Sequence, residues 1–183
     1  MRYAGLIKDD TAAGPGLCVT FFTQGCPHKC PGCHNPETWD FDGGKEFRPD
    51  LIKEIVEALT ARDIKRNFCI MGGEPLCEEN IFLTMLIVFE IREKLPTIPI
   101  YIWSGYTLEE LLAQNNKHVM KVLSSIDFLI DGKYDLKLRD TTLKMRGSSN
   151  QRIIDMRQTR KHGEVILHKL NEFTPMKEEI YNE

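Results

Sequence analysis

Four short runs rich in β-branched and aromatic residues punctuate the chain: residues 17–23 (LCVTFFT), 67–71 (NFCIM), 98–103 (IPIYIW) and 126–130 (IDFLI). Each reads as a strand, and each is followed by glycine, proline or a polar cluster that breaks regular structure. The stretches between them carry helical spacing. Arg48-Pro49-Asp50 opens a helix with Leu51, Ile52, Ile55, Val56 and Leu59 on one face. Residues 79–95 form a second helix, apolar nearly all round and so expected to be well buried; Pro96 ends it. Thr107-Leu108-Glu109-Glu110 makes a capping box for a third helix, expected in two pieces with the break near Asn115-Asn116. Strand–helix alternation repeated in this way predicts an α/β fold of parallel βα units. Every unusual residue cluster falls just after a strand, at the edge where such architectures build their sites.

Beyond residue 140 the pattern changes. RGSSNQR, residues 146–152, reads as a polar loop; residues 153–156 and 164–169 read as segments able to pair as strands, and the last dozen as a weakly ordered tail. The expected organisation is one α/β domain over residues 1–160 and a C-terminal extension over 161–183, strand-like and then weakly ordered. A net charge of −3 gives no basic excess to favour nucleic acid. The longest apolar stretch, residues 81–89, is broken by Thr84 and falls far short of the ~20 residues a membrane span needs. The first sixteen residues hold no apolar signal core, so the expected location is the cytosol. Arg62, Lys65 and Arg66 read as a solvated helix end. Gly14-Pro15-Gly16 reads as a turn, with closeness to a ligand or partner as the alternative.

Six cysteines are present, and three of them, Cys26, Cys30 and Cys33, fall within eight residues as C-x3-C-x2-C. Disulfides are rare in cytosolic proteins, and the clustering favours metal. A closed zinc site wants four ligands; His28 and His34 flank the trio and make a Cys3His site the alternative. A [4Fe–4S] cube normally takes four cysteines, so three leave one iron open to bind a substrate. Cys18 and Cys69 sit in apolar strand runs and read as small core residues. Cys77 follows the Gly72-Gly73-Glu74-Pro75 turn.

CPHKCPGC resembles the cluster-binding signature of the radical S-adenosylmethionine (SAM) superfamily, and Gly72-Gly73-Glu74 resembles the Gly-Gly-Glu motif that follows the second strand there. The resemblance implies a partial (βα) barrel, an open parallel sheet of radical SAM type, over residues 1–160. It implies a [4Fe–4S] cluster on Cys26, Cys30 and Cys33, with SAM chelated by the open iron. One electron would then cleave the sulfonium and leave a 5′-deoxyadenosyl radical. Gly72, Gly73 and Glu74 would meet the methionine ammonium. Ser104 and Asp131, each ending a strand, would meet the ribose, and Lys133 would meet the SAM carboxylate. An aromatic residue is common before the last cysteine in that superfamily; Gly32 stands there, so His34, Trp39 or Phe41 would have to pack the adenine.

Five stretches resemble, in order and spacing, the activating proteins of anaerobic ribonucleoside-triphosphate reductases: residues 13–39, 71–76, 102–106, 129–134 and 146–152. The implied activity is abstraction of a hydrogen atom from one glycine of the reductase large subunit, leaving a glycyl radical. The implied electron donor is a flavodoxin or a ferredoxin. Asn150 and Arg152 are then expected either to line the SAM pocket or partner surface, or to shape a turn. A full (βα)8 barrel takes ~250 residues, so a chain of this length is expected to stay open on one side and admit a partner loop. The alternatives are activation of another glycyl-radical enzyme such as pyruvate formate-lyase, a small radical SAM synthase as in 7-deazaguanine biosynthesis, and a zinc-binding or electron-transfer module.

Overall fold

The computed structural model describes residues 1–172; the expected C-terminal tail from residue 173 on lies outside them. Seven strands form one open sheet in the order β3-β1-β2-β4-β5-β6-β7. They are β1 (Arg2–Asp10), β2 (Cys18–Thr23), β3 (Lys45–Glu46), β4 (Asn67–Gly72), β5 (Ile100–Trp103), β6 (Phe128–Asp131) and β7 (Arg152–Asp155). Strands β2, β4, β5 and β6 are parallel, with Cys18 opposite Asn67, Phe68 opposite Ile100 and Tyr101 opposite Phe128. These are the four runs legible in the sequence. The flanks differ from expectation: β1 is antiparallel to β2, β3 to β1 and β7 to β6, so the sheet is mixed rather than purely parallel.

The helices are α1 (Asp50–Thr60), α2 (Ile81–Lys94), α3 (Leu108–Ala113), α4 (Lys117–Ser125) and α5 (Met156–His162). Among the parallel strands β2, β4, β5 and β6, each is added on the same side of the one before it, while β3 goes to the far edge beside β1. With right-handed crossovers, such growth puts every connecting helix on one face of the sheet. The packing agrees. Residues of all five helices share one apolar cluster with Val19, Phe21, Phe68, Ile70, Ile100, Ile102, Leu129 and Ile154. The alternate strand residues Cys18, Cys69, Tyr101, Phe128, Ile130 and Ile153 face the other way, covered by Ala13, Met145 and Leu170 from loops. Cys18 and Cys69 are fully buried there, as small core residues.

The capping box on Thr107 and Glu110 is present, and Asn116 caps α4 by accepting from the His118 and Val119 amides, which explains the split third helix. Helix α2 departs from expectation: Phe82 and Phe89 are exposed, because the sheet, α1 and α4 surround only three of its sides. Arg66 also departs. Its side chain is buried, bonded to Asp9 at 2.7 Å and to the Ala61 carbonyl at 2.6 Å, so it caps the chain after α1 instead of being solvated. Residues 164–169 form no strand; they meet β7 through a single bridge, Ile154 to Leu167, and Met156 starts a helix. The turn at residues 14–16 lies against the start of β2, where Asn67 Nδ2 donates to the Pro15 carbonyl at 2.6 Å. That is the edge opposite the one bearing Cys26. Among the described residues no helix is long and apolar enough to cross a membrane.

Candidate functional site

The C-terminal ends of the four parallel strands carry the cysteine loop after β2, Gly73-Glu74 after β4, Ser104 after β5 and Gly132-Lys133 after β6. The cysteine loop is fixed at its root. The Gly25 amide donates to the Thr38 carbonyl at 2.8 Å and the Cys26 amide to that of Trp39 at 3.1 Å. Gly25 has φ +95°, and its missing Cβ leaves room for the Phe41 ring, which a methyl there would meet at 2.1 Å. Farther out, the Cys33 amide donates to the Cys30 carbonyl at 3.0 Å, and Lys29 takes φ 46° as the loop folds back. Cys26 is buried, whereas Cys30 and Cys33 are half-buried. Burial pushes the Cys26 and Cys30 thiols above their ordinary pKa, so a metal group would have to displace their protons. Among the described residues no three His, Cys, Asp or Glu side chains converge on a point that one metal ion could occupy.

Glu74 is fully buried and joins three loops. Its Oε1 accepts from the Leu76 amide at 3.0 Å and from Ser104 Oγ at 2.8 Å. Its Oε2 accepts from the Gly105 amide at 2.6 Å and lies 3.0 Å from His28 Nε2. Ser104 Oγ also accepts from the Tyr106 amide. Beside this hub the Gly73 amide donates to the Thr23 carbonyl and the Glu74 amide to that of Gly25. The approach is so close that a Cβ on Gly73 would lie 2.2 Å from the Gly25 carbonyl oxygen. Backbone cannot yield as a flexible side chain would. Gly73→Ala is therefore expected to lose about 3 kcal/mol in urea denaturation; a loss below half of that would show that the two loops part freely.

Asp131 is likewise fully buried. It accepts from the Leu108 amide at 2.8 Å, anchoring the start of α3, and from Arg152 at 2.9 and 2.5 Å. Arg152 reaches on to Glu109 at 2.6 Å, and both carboxylates hold its guanidinium proton above the ordinary value, Asp131 the more strongly. Gln151 Nε2 donates to the Gly132 carbonyl and Asn150 Nδ2 to that of Lys133, so residues 146–152 brace the turn after β6. Lys133 is exposed and close enough to Cys30 to favour its thiolate. Removing Arg152 would leave a buried carboxylate without its cation. Arg152→Ala is expected to cost about 3–5 kcal/mol, measured by denaturant midpoint, and Arg152→Lys less.

Residues 12–154 match the family described as a 4Fe-4S single cluster domain, a span that includes all of these groups. The chain is 37% identical over 158 residues to the anaerobic ribonucleoside-triphosphate reductase-activating protein of Escherichia coli (strain K12), covering 86% of this chain and all of that protein. Proteins of the same name from Pasteurella multocida (35%, over 82% and 95% of the two chains) and Enterobacteria phage T4 (33%, over 84% and 93%) are also similar. The chain belongs to the anaerobic ribonucleoside-triphosphate reductase-activating proteins.

The matched iron–sulfur domain, residues 12–154, includes the cysteine loop. Thiolates are the natural donors to such a cluster, and this loop, pinned at its root, carries three cysteines. Three contributors to the architecture were not legible in the linear order. His28 was visible only as a flanking histidine. Arg152 was visible only as part of RGSSNQR. Asn80, just before α2, donates to the Gly25 and Glu74 carbonyls and carried no distinguishing signal. Of the aromatic residues considered near Gly32, Phe41 packs on Gly25. The space above Gly32 is taken by Leu136, whose Cδ1 a Cβ there would meet at 2.9 Å.

Proposed function

We propose that this chain activates an anaerobic ribonucleoside-triphosphate reductase by radical SAM chemistry, with Cys26, Cys30 and Cys33 each holding one iron of a [4Fe–4S] cluster. The observation that carries the reading is the trio itself, on a loop hydrogen-bonded to the Gly73-Glu74 turn at the C-terminal edge of parallel strands. With SAM on the open iron, one electron from the cluster would break the sulfonium C–S bond, and the adenosyl fragment would take a hydrogen atom from the reductase glycine.

The residues of this chain divide the remaining work. The backbone at Gly72 and Gly73 lies bare of side chains beside the cysteine loop and would accept from the methionine ammonium. Lys133, on the Cys30 side, would meet the carboxylate, which is costly to bury unpaired. Glu74, Ser104 and Asp131 have their polar atoms bonded within the protein; they would hold in place the loops whose backbone lines the site. The run of four parallel strands, β2-β4-β5-β6, with the helices on one face supports a partial barrel, with residues 1–160 as the catalytic unit and the rest as an extension. A flavodoxin or ferredoxin in the cytosol would supply the electron.

The test is electron paramagnetic resonance on anaerobically reconstituted, dithionite-reduced protein with and without SAM, followed by incubation with the reductase. A reduced-cluster signal that SAM alters, and then a glycyl radical on the reductase, are expected. A chain that takes up no iron, or a cluster signal indifferent to SAM, overturns the reading.

A further inference from the structure

His28 lies between Cys26 and Cys30, flanked by Pro27 and Lys29, which are both exposed. Its own side chain turns inward and is only 5% exposed. The ring passes into the gap between the loops after β4 and β5. There Nε2 lies 3.0 Å from Glu74 Oε2. The ring sits edge-on to Tyr106, with centroids 4.4 Å apart, and presses on Gly105, where a Cβ would come within 2.3 Å of Cδ2. Three other donors already converge on this carboxyl, and a carboxylate only accepts, so the contact is assigned with Nε2 as the donor. Glu74 Oε2 thus receives one donor from the β5 loop and one from the cysteine loop, while Oε1 receives the other two. The root of the cysteine loop is tied to the Gly73-Glu74 turn by backbone bonds at Gly25. Farther out, among the described contacts, the tie from the Cys26–Cys30 span to that turn is the His28 side chain.

We propose that His28 is a positioning residue that fixes the Cys26–Cys30 span at a set distance from the Gly72–Glu74 turn, and thereby sets the affinity of the site for SAM. The proposal rests on the reading above, in which the cysteine loop would hold the cluster and the backbone after β4 would hold SAM, so that both loops would contribute to one ligand's site. A ligand that bridges two loops binds well only if their separation is held, and errors on the order of 1 Å are costly. His28 touches neither the cluster sulfurs nor SAM in this scheme. It acts through Glu74, as partners behind the direct ligands commonly do. The close packing of the ring on Gly105 and Tyr106 makes the same side chain a spacer as well as a donor.

The experiment compares wild type, His28→Ala and His28→Gln, each as the full chain with reconstituted cluster. Iron per chain and circular dichroism report loading and fold. The reduced-cluster spectrum titrated with SAM gives the concentration at half change. His28→Ala is expected to load iron as wild type does but to need roughly 10- to 100-fold more SAM. His28→Gln, whose amide can donate to Glu74, is expected to recover to within about threefold of wild type. A His28→Ala titration that overlays wild type overturns the proposal. Should His28→Ala fail to fold or load, His28→Gln decides: a wild-type SAM titration upholds the proposal, and a weakened one in a loaded, folded variant overturns it. A wild-type cluster indifferent to SAM would remove the functional reading and the proposal with it. That outcome is distinct, because it is seen before any variant is compared.

Discussion

Replacing any one of Cys26, Cys30 or Cys33 by alanine is expected to take the chain from about four irons to almost none after anaerobic reconstitution, and to abolish activation of the reductase. The fold should survive. The three cysteines stand outside the main apolar cluster, and the loop is held at its root by backbone bonds to Thr38, Trp39 and Glu74 that need no thiol. Circular dichroism should therefore be unchanged while iron and the visible absorbance disappear. The remaining cysteines supply the contrast. Cys77 is buried with its thiol pushed up to about 12 by burial, and its Sγ lies 3.1 Å from the Glu74 carbonyl. Cys77→Ser should keep that hydrogen bond and a full cluster, as should single serine variants of Cys18 and Cys69. A cluster that persists in any of the first three variants, or vanishes in a folded Cys77→Ser, would reassign the ligands.

Glu74→Ala is expected to lower stability by about 3–5 kcal/mol, which for a domain of this size is a fall in melting temperature on the order of 10 °C. Four donors lose their acceptor at once: the Leu76 and Gly105 amides, the Ser104 hydroxyl and the His28 ring. Each unsatisfied buried donor costs about 1–3 kcal/mol, and water entering the vacated space would recover part of the sum. Glu74→Gln keeps the shape but turns an amide nitrogen toward two donors, so about half of the loss is expected to remain. The loss should be the same with and without iron, since the bonds belong to the protein alone. A Glu74→Ala protein melting within a degree or two of wild type would show that the three loops are held by other means.

Both predictions draw on parts of the molecule that the linear sequence disclosed unevenly. The four parallel strands were legible because each is a β-branched, aromatic run cut off by glycine or a polar turn. The shared edge of the candidate site residues followed at once from where those runs end. The break between α3 and α4 was legible because Asn116 is a strong cap. Strand β1 was not. Its sequence, RYAGLIKDD, has only Tyr3 buried, and it shows neither a continuous apolar run nor clean alternation, because only the two-residue β3 lies outside it in the sheet. The apolar circumference of α2 suggested complete burial, but hydropathy cannot tell which side of a helix lacks a neighbour. At the site, Glu74 and Asp131 were recognisable as important. That Glu74 would be saturated by Ser104 and His28, and Asp131 by Arg152, depends on contacts spanning 21 to 46 residues, which no local pattern encodes.

The order of the strands has a consequence for how the chain is built. From β2 onward, every strand pairs with one that precedes it in the sequence, and β2 itself pairs with β1. The sheet can therefore grow outward during synthesis, each new strand finding a finished edge. That growth meets one obstacle. Asp131, at the end of β6, precedes its cation by 21 residues, because Arg152 stands at the head of β7. Until β7 docks, the edge of the nascent sheet ends in a carboxylate that favours staying hydrated, so β6 and the start of α3 that Asp131 anchors should be the last parts to settle. Docking of β7 both gives Asp131 its cation and, through Asn150 and Gln151 just before it, braces the Gly132-Lys133 turn.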